Sequence, residues 1–389
     1  MTAPTPLPEI HGHCHPSYAR VRDAFETGFR EREEIGASVA VTVDGEAVVE
    51  LWAGHADPAR TRPWNRDTIV HLYSVTKGMT ALCAHHLADA GRLDLDAPVA
   101  RYWPEFAVAG KQAIPVDWLL SHRAGLAALR DPLPPEALYD WEAMCAALAA
   151  ATPALPPGTL GYHPVTFGWL VGEVVRRIDG RSVGRYFREE IAEPLGIDLH
   201  IGLAPSEEKR VADITPLDPP PELAAAFADQ GDPVELPLVA LAFINPLGTG
   251  DHNSAAHRRA EIPAINGHGS AAALARVYGA LACGGELDGT RILSRDAIDR
   301  ARSVRAAGVD VLLGVPLRIG LGYWVSQPET PGLAFGPHAG AFGHPGAGGS
   351  LGFADPEARL GFGYVCNRMG NEMTAVDPRP QALIDALYG

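Results

Sequence analysis

Lysine is the scarcest charged residue in this chain. Only Lys77, Lys111 and Lys209 are present, and arginine supplies the other 29 of the 32 basic side chains. Arginine keeps its proton at ordinary pH, whereas a lysine can lose it when its surroundings disfavour the charge. A lysine that also stands in a motif is therefore a candidate proton acceptor, although a surface lysine needs no such role.

Cysteine is sparse too, and its five positions show no paired spacing that would indicate a disulfide framework or a zinc site. We therefore expect reduced thiols and a cytoplasmic protein. The positions are Cys14, Cys83, Cys145, Cys283 and Cys366.

The chain lacks the patterns of membrane and nucleic-acid-binding proteins. No stretch of 18 consecutive apolar residues occurs, which predicts no membrane-spanning helix. Met1–Pro16 has no basic segment followed by an apolar one, so we expect no signal peptide. The net charge of −15 argues against a nucleic-acid partner. With 389 residues, 47% of them hydrophobic, the chain can bury a sizeable core in about two domains.

Strand patterns lie towards both ends of the chain. Ser38–Val43 and Glu46–Trp52 flank Asp44-Gly45, which is the signature of a hairpin with a type I′ turn. Further strands are predicted at Leu321–Val325, Gly349–Ala354 and Leu360–Cys366, and helices at residues 17–34, Val165–Ile178, Ser270–Leu281 and Gln381–Tyr388.

This order of elements predicts an α+β fold. We expect an antiparallel sheet assembled from both chain ends, residues 1–73 and 265–389, with helices packed against it. Residues 74–264 alternate helical patterns with proline-rich loops and are expected to form a mostly helical inserted domain. The active site is expected at the interface of the two domains.

Ser74 and Lys77 form a Ser-x-x-Lys motif at the start of an apolar-periodic run that ends at Gly91. Residues three apart share one face of a helix, so the two side chains are predicted to be neighbours. A serine hydroxyl is a poor nucleophile until a base takes its proton, and a buried lysine can be that base. The helix N-terminus also offers unpaired N–H groups to a developing oxyanion.

A second Ser-x-x-Lys motif is weaker. Ser206 and Lys209 enclose Glu207 and Glu208, whose charges would keep the lysine protonated and repel an oxyanion. We expect this copy to be a solvated helix start.

Ser350 lies in a Gly-x-Ser-x-Gly motif, Gly348–Gly352. A nucleophile elbow needs a strand before the serine, a helix after it and a histidine later in the chain. A strand pattern follows Ser350, and no histidine follows His344. We therefore expect a glycine-rich strand at which a ligand or backbone approaches closely.

The N-terminal histidines and Tyr162 could have a catalytic or metal-binding role only together with other residues. His11, His13 and His15 could bind a metal, but no distant partner cluster accompanies them, so we expect a disordered tip. Tyr162 stands in a loop ahead of a predicted helix and by itself is most simply a packed aromatic.

Taken together, the motifs resemble those of the serine β-lactamase and penicillin-binding-protein superfamily. The similarity is greatest to class C β-lactamases and family VIII carboxylesterases, and it runs from about residue 20 to the end of the chain. Four segments occur in the family's order: Ser74-Val75-Thr76-Lys77, Val116–Leu126, Pro157-Gly158 followed by Tyr162, and Phe342–Gly349.

The resemblance implies a role for each motif residue. Ser74 would be the nucleophile, and Lys77 and Tyr162 would relay its proton. Which of these two is the resting base stays open, because their titrations are coupled. The backbone N–H groups of Ser74 and Ala347 would form the oxyanion hole. No metal or cofactor is required.

Two departures from the family pattern bear on the substrate. The family's Tyr-x-Asn reads Tyr162-His163-Pro164, so the asparagine amide is absent. The Lys-Thr-Gly strand reads His344-Pro345-Gly346, so the cation that meets a β-lactam carboxylate is absent as well. We expect His344 and Gly346 to border the substrate, and both departures favour the esterase branch.

We therefore predict a serine hydrolase that cleaves short-chain carboxylic esters through a covalent acyl-serine, with a small-molecule ester as its partner. An acyltransferase would use the same residues and differ only in its second substrate. A third interpretation is a β-lactamase or a binding module without turnover, and the intact Ser74, Lys77 and Tyr162 argue against lost turnover. The natural acyl group and the oligomeric state are left open by the sequence.

Overall fold

Strands from both ends of the chain form the larger sheet of the molecule. The structure, a computed structural model, describes residues 7–216, 236–246, 251–370 and 376–389. Within these residues the strands are β1 His11–Cys14, β2 Gly36–Val43, β3 Glu46–Gly54, β4 Ile69–His71, β5 Leu199–Ile201, β6 Val211–Ala212, β7 Gly267–Gly269, β8 Glu286–Leu287, β9 Thr290–Arg291, β10 Ala306–Val309, β11 Pro316–Ile319, β12 Trp324–Val325, β13 Phe342–Pro345, β14 Leu351–Asp355 and β15 Leu360–Cys366.

The larger sheet runs in the order β1-β3-β2-β15-β14-β13-β12-β11-β10, and its neighbouring strands are antiparallel. β2 from the first part of the chain pairs with β15 from the last part, with Val39 opposite Tyr364. The predicted α+β architecture, with a sheet assembled from both chain ends, is confirmed. A smaller sheet has the order β5-β7-β4-β6.

Helices cover the larger sheet and fill the middle of the chain. The predicted helices are present with slightly different ends. In chain order the described helices are α1 Ala19–Glu31, α2 Thr76–Asp89, α3 Val116–Leu120, α4 Trp141–Ala150, α5 Phe167–Asp179, α6 Val183–Phe187, α7 Glu193–Leu195, α8 Leu238–Ile244, α9 Ala255–Arg259, α10 Ala271–Ala282, α11 Arg295–Arg302 and α12 Pro378–Tyr388.

The predicted hairpin forms between β2 and β3. Asp44 and Gly45 both have positive φ, 51° and 85°, as a type I′ turn requires. Side chains then alternate across β2. Val39 and Val41 enter a core with α1 and α12, whereas Ala40 belongs to the core that includes α10. On β15, an added Cβ at Gly361 would lie 2.2 Å from the carbonyl oxygen of Ala275, so only glycine permits this close packing of α10.

The expectation of a disordered histidine tip at the N-terminus is wrong for the residues that the structure describes. His11–Cys14 form β1, which pairs with β3 and places His11 opposite Trp52. The rings of these two residues stack with centroids 6.2 Å apart. The strand forms because the outer edge of β3 would otherwise expose unpaired backbone groups. Met1–Pro6 lie outside the described residues.

The middle of the chain surrounds α2. Every residue of α2 from Thr76 to His85 is buried, and the helix contacts α5, α6 and α11. The sequence pattern indicated one apolar face, but the helix is enclosed nearly all round, as expected for the centre of a large core. Among the described residues, no helix combines the length and the apolarity that crossing a bilayer would need.

Candidate active site

Ser74 stands where the chain turns from β4 into α2. A 3-10 turn, Tyr73–Val75, precedes the helix and holds Ser74 half-buried at its start. Tyr73 has φ of +48°, a left-handed conformation that is strained for an aromatic residue. This strain accompanies the sharp change of direction after β4. The predicted position of Ser74 at a helix start is confirmed.

Lys77 lies one turn further on and is completely buried. Its Nζ is 3.0 Å from Ser74 Oγ, 2.6 Å from the Pro164 carbonyl oxygen and 3.0 Å from the Ala264 carbonyl oxygen. Among the described residues no carboxylate forms an ion pair with this amine, so nothing nearby compensates a positive charge on it. Burial lowers the pKa of Lys77 well below its usual range.

These contacts fit a neutral lysine. An uncharged amine has two N–H bonds and one lone pair. The two carbonyl oxygens of Pro164 and Ala264 accept the two N–H groups. In the neutral form the lone pair would remain for the Ser74 hydroxyl, which would then donate across the 3.0 Å contact, whereas a charged Lys77 would itself donate to Ser74 Oγ. This arrangement would allow Lys77 to act as a base towards Ser74.

Tyr162 is brought beside this pair by the loop before α5. Its backbone N–H donates to the Asp310 carboxylate at 2.7 Å, and its side chain is buried. Lys77 Nζ lies 4.9 Å from the centroid of the Tyr162 ring. Burial raises the pKa of the Tyr162 phenol above its usual value, and a hydrogen bond with Ser74 opposes that shift only in part. The phenol is therefore protonated near neutral pH and suited to act as a proton donor.

His344 lies on β13 and faces Tyr162. Its Nε2 is 3.5 Å from the Tyr162 hydroxyl oxygen, and its Nδ1 donates to the Pro345 carbonyl oxygen at 2.7 Å. Burial lowers the pKa of His344 to about 3, and the proximity of Lys77 adds to this shift. The imidazole is therefore neutral at pH 7, with a bare Nε2 towards the phenol, and it supplies no cation.

Gly346 and Ala347 follow directly after β13 and lie against the Ser74 turn. An added Cβ at Gly346 would lie 2.4 Å from the Leu72 carbonyl oxygen, so the close approach of the two segments depends on glycine. Ala347 is the first residue of a 3-10 turn, Ala347–Gly349, and Ser74 is the second residue of its own. N–H groups at such positions have no acceptor within their turn, as oxyanion donors require.

A buried arginine braces the Ala347 turn, and the sequence analysis missed it. Arg379 donates from its guanidinium to the Gly348 carbonyl oxygen and to the Asp377 carboxylate. A second contact joins Arg379 Nη1 to Glu34 at 3.3 Å. Asp377 is two residues from Arg379, but Gly348 and Glu34 are 31 and 345 residues away, so spacing along the chain carried no signal of the assembled contact.

Two aromatic residues that the sequence analysis also missed surround Tyr162. The His122 ring lies 4.6 Å from the Tyr162 ring, and His122 Nδ1 accepts the His163 N–H at 3.0 Å. The Trp324 ring lies 6.0 Å from Tyr162 and 5.7 Å from His344. His122 lies in Val116–Leu126, one of the four segments that resemble the family, and this was the only indication in the sequence that it is near the site. Together these rings make a largely aromatic wall on one side of the site.

The competing serines lie as expected. Ser206 is exposed and donates to the Glu207 carboxylate at 2.9 Å in a 3-10 turn, Pro205–Arg210. Ser350 is buried at the start of β14, so a strand follows it and not the helix of a nucleophile elbow.

A separate group of histidines lies on the far side of Tyr73. His71, His252 and His257 present nitrogen atoms that all lie within 4.8 Å of one another. The sequence carries no sign of this group, in contrast to the closely spaced N-terminal histidines, because His71 and His257 are 186 residues apart.

Comparison with known proteins gives consistent results. The chain is 39% identical over 377 residues, covering 95% of this chain and 85% of the relative, to Esterase/beta-lactamase LipL of Mycobacterium tuberculosis. A penicillin-binding protein homolog from Caulobacter crescentus has a TM-score of 0.88 at 43% identity, covering 97% of this chain and 98% of that one. A family VIII carboxylesterase structure has a TM-score of 0.85 at 43% identity, covering 97% and 99%.

The family model described as Beta-lactamase matches residues 21–386, which is nearly the whole chain. The sequence motifs, the sheet built from both chain ends and this match agree. The chain belongs to the β-lactamase family.

Proposed function

We propose that this protein hydrolyses short-chain carboxylic esters through a covalent ester on Ser74. The observation that carries the proposal is the buried, uncompensated amine of Lys77, held by two carbonyl oxygens and aimed at Ser74 Oγ from 3.0 Å. Relatives that carry the name esterase and a family VIII carboxylesterase structure support the same chemistry.

In the acylation step, Ser74 Oγ attacks the ester carbonyl carbon while its proton passes to the neutral Lys77 Nζ. The carbonyl oxygen gains negative charge, which the N–H groups of Ser74 and Ala347 stabilise. Removing one such donor typically lowers kcat by about 100- to 1000-fold. We take Lys77 as the resting base because burial favours its neutral form, whereas burial favours the protonated form of Tyr162.

The bond to the leaving alcohol then breaks. The departing oxygen takes a proton from the Tyr162 hydroxyl, and the Lys77 ammonium returns its proton to the phenolate. Both residues are again neutral, and the acyl group remains on Ser74. In the second half of the reaction, water gives a proton to the neutral Lys77 and attacks the acyl carbon. Ser74 Oγ then leaves and takes this proton from the Lys77 ammonium, and the carboxylic acid is released.

The surroundings of the nucleophile favour an ester over a β-lactam. A β-lactam carries a carboxylate that needs a cation, and His344 is neutral. Pro345 has no hydroxyl to donate, and Pro164, which stands where the family has asparagine, has no side-chain amide. An uncharged ester needs none of these groups.

We further propose that the site lies at the interface of two domains, residues 1–73 with 265–389 and residues 74–264. Ser74 and Lys77 lie at the boundary between the two proposed domains. Tyr162 belongs to the helical domain, and His344 belongs to the sheet domain. The five free cysteines support the proposed cytoplasmic location.

Intact-mass spectrometry tests the proposal. The protein is mixed with 4-nitrophenyl acetate or butyrate and quenched within seconds. A mass increase of one acetyl or butyryl group, mapped to Ser74 and absent in Ser74→Ala, is expected. No acyl adduct and no ester turnover would overturn the proposal. An adduct that is released much faster by an added alcohol or amine than by water would replace hydrolysis with acyl transfer.

A further inference from the structure

A cluster of histidines on the other side of Tyr73 takes no part in the proposed ester chemistry. His71 ends β4, His257 lies in α9, and His252 stands shortly before that helix. His257 Nε2 lies 3.2 Å from His71 Nε2 and 3.2 Å from His252 Nδ1. Three ring nitrogens from two distant parts of the chain therefore converge on one point.

The spacing of these nitrogens suits a tetrahedral metal ion. Zinc–nitrogen bonds of about 2.0–2.1 Å place two ligands of a tetrahedron about 3.3 Å apart. The two measured separations of 3.2 Å are close to that edge. The three nitrogens all lie within 4.8 Å of one another, so a modest shift of one ring closes the third edge.

Hydrogen bonds among the described residues do not satisfy all the ring nitrogens of this histidine cluster. His257 Nε2 faces two other ring nitrogens, yet it can share one proton with only one of them. His257 Nδ1 is buried without a hydrogen-bond partner. His268, which pairs with His71 across β4 and β7, is buried, and its ring lies 5.3 Å from the His71 ring. Buried polar groups are normally paired, so a site in which His257 Nε2 can share a proton with only one of two adjacent nitrogens calls for an explanation.

The nearby charges do not oppose a cation strongly. The guanidinium of Arg258, which follows His257 in the chain, is paired with the Asp213 carboxylate at 2.7 Å. Asp251 adjoins His252 and adds negative charge at the half-exposed edge of the cluster. His252 is also the most accessible of the three histidines, which gives an ion a route inwards.

We propose that His71, His252 and His257 bind a divalent transition-metal ion of the zinc class. Imidazole nitrogen is a ligand type that Zn²⁺ prefers, and three protein ligands leave a fourth position for water or a small anion. The ion joins the segment around α9 to β4, three residues before Ser74. Acyl transfer by Ser74 requires no metal, so the ion is not a reactant in the proposed hydrolysis.

Metal binding at His71 would also affect the turn that holds Ser74. The His71 ring lies 4.3 Å from the Tyr73 ring, and the Tyr73 N–H approaches His71 Nδ1 at 3.4 Å. Coordination through Nε2 puts the His71 proton on Nδ1, which then no longer accepts that N–H. The metal therefore acts on the backbone immediately before the nucleophile.

The test uses the full chain, stripped with a chelator and dialysed. Equilibrium dialysis with Zn²⁺ should give one tightly bound ion per chain, and Co²⁺ should produce the intense visible absorption of a four-coordinate site. His252→Ala should lose more affinity than the roughly 100-fold that loss of an outer-shell partner costs. Because His252 is half-exposed, this variant should keep its circular dichroism and thermal midpoint without metal.

Two controls separate this site from other histidines. A variant with His11, His13 and His15 all changed to alanine should keep both the stoichiometry and the affinity. His86→Ala, which removes a histidine bonded to Tyr186 outside the cluster, should do the same. The proposal fails if the wild-type chain binds no stoichiometric Zn²⁺, or if His252→Ala and the buried variant His257→Gln, confirmed to be folded, bind it like the wild type.

Discussion

Lys77 Nζ lies 3.0 Å from Ser74 Oγ while two backbone carbonyl oxygens occupy its other hydrogen-bonding directions. A lysine that must accept a proton has to be held neutral and pointed correctly. Burial provides the first condition, and the carbonyls of Pro164 and Ala264 provide the second.

Replacing the nucleophile should abolish ester hydrolysis. Ser74→Ala is expected to lower kcat by at least about a thousandfold, because among the described residues Ser74 supplies the aliphatic hydroxyl that is hydrogen-bonded to the buried amine. Ser206→Ala and Ser350→Ala are the matched controls and should retain wild-type kcat/KM for 4-nitrophenyl acetate. Full activity in Ser74→Ala would mean that the nucleophile lies elsewhere.

Exchanging Lys77 for arginine should be nearly as damaging as exchanging it for alanine. Arginine keeps a positive charge and cannot take the serine proton. Loss of a general base typically costs about 100- to 10,000-fold in rate. Steady-state kcat of Lys77→Arg and Lys77→Ala should therefore be similarly low. A near-native rate in Lys77→Arg would show that the residue acts only through its charge.

Removing the Tyr162 hydroxyl should slow the reaction without unfolding the protein. Tyr162→Phe keeps the ring against His122 and Trp324 but cannot protonate the leaving alcohol, so kcat should fall by about 100-fold or more. Tyr102→Phe is the control, because its hydroxyl only accepts the Asp94 N–H in an exposed loop. Equal, mild effects of both substitutions would remove Tyr162 from the mechanism.

The protein should prefer esters to β-lactams. A missing charge-assisted hydrogen bond costs about 1.5–3 kcal/mol, which corresponds to roughly 10- to 150-fold in kcat/KM for a β-lactam. The neutral His344 cannot supply that bond. The check is kcat/KM for 4-nitrophenyl butyrate beside that for a chromogenic cephalosporin. Cephalosporin turnover equal to or above ester turnover would overturn the assignment.

The depressed pKa of Lys77 should appear in stability as well as in rate. The unfolded chain binds a proton at Lys77 below about pH 10.4, whereas the folded chain does so only below its lower folded pKa. Between these values the unfolded state holds more protons, so the free energy of unfolding rises with pH, by at most about 1.4 kcal/mol per unit.

Lys77→Met lacks this titration and provides the reference. Urea unfolding between pH 7 and 10 should show the wild type gaining stability relative to Lys77→Met as the pH rises. The wild-type kcat/KM should likewise fall as the pH drops through the folded pKa of Lys77. If the difference in unfolding free energy between the wild type and Lys77→Met stays constant across this pH range, Lys77 is charged in the folded state.

Local patterns in the sequence determined much of the fold. Alternation of apolar residues marked β2 and β3, and Asp44-Gly45 marked their turn, because these signals depend only on neighbouring residues. The three-residue spacing of Ser74 and Lys77 likewise brought the two side chains together, since one helical turn decides that contact. The family motifs identified Tyr162, His344 and Ala347 as candidates.

Long-range packing decided what those residues can do. Whether Lys77 is neutral depends on carbonyl oxygens of Pro164 and Ala264, 87 and 187 residues away, and on the complete burial of α2. Spacing along the chain carries no information about such contacts, nor about the convergence of His71 with His257. The sequence therefore determined which chemical groups are present, and the tertiary structure determined their charge, orientation and partners, because desolvation and hydrogen bonding arise only when distant segments meet.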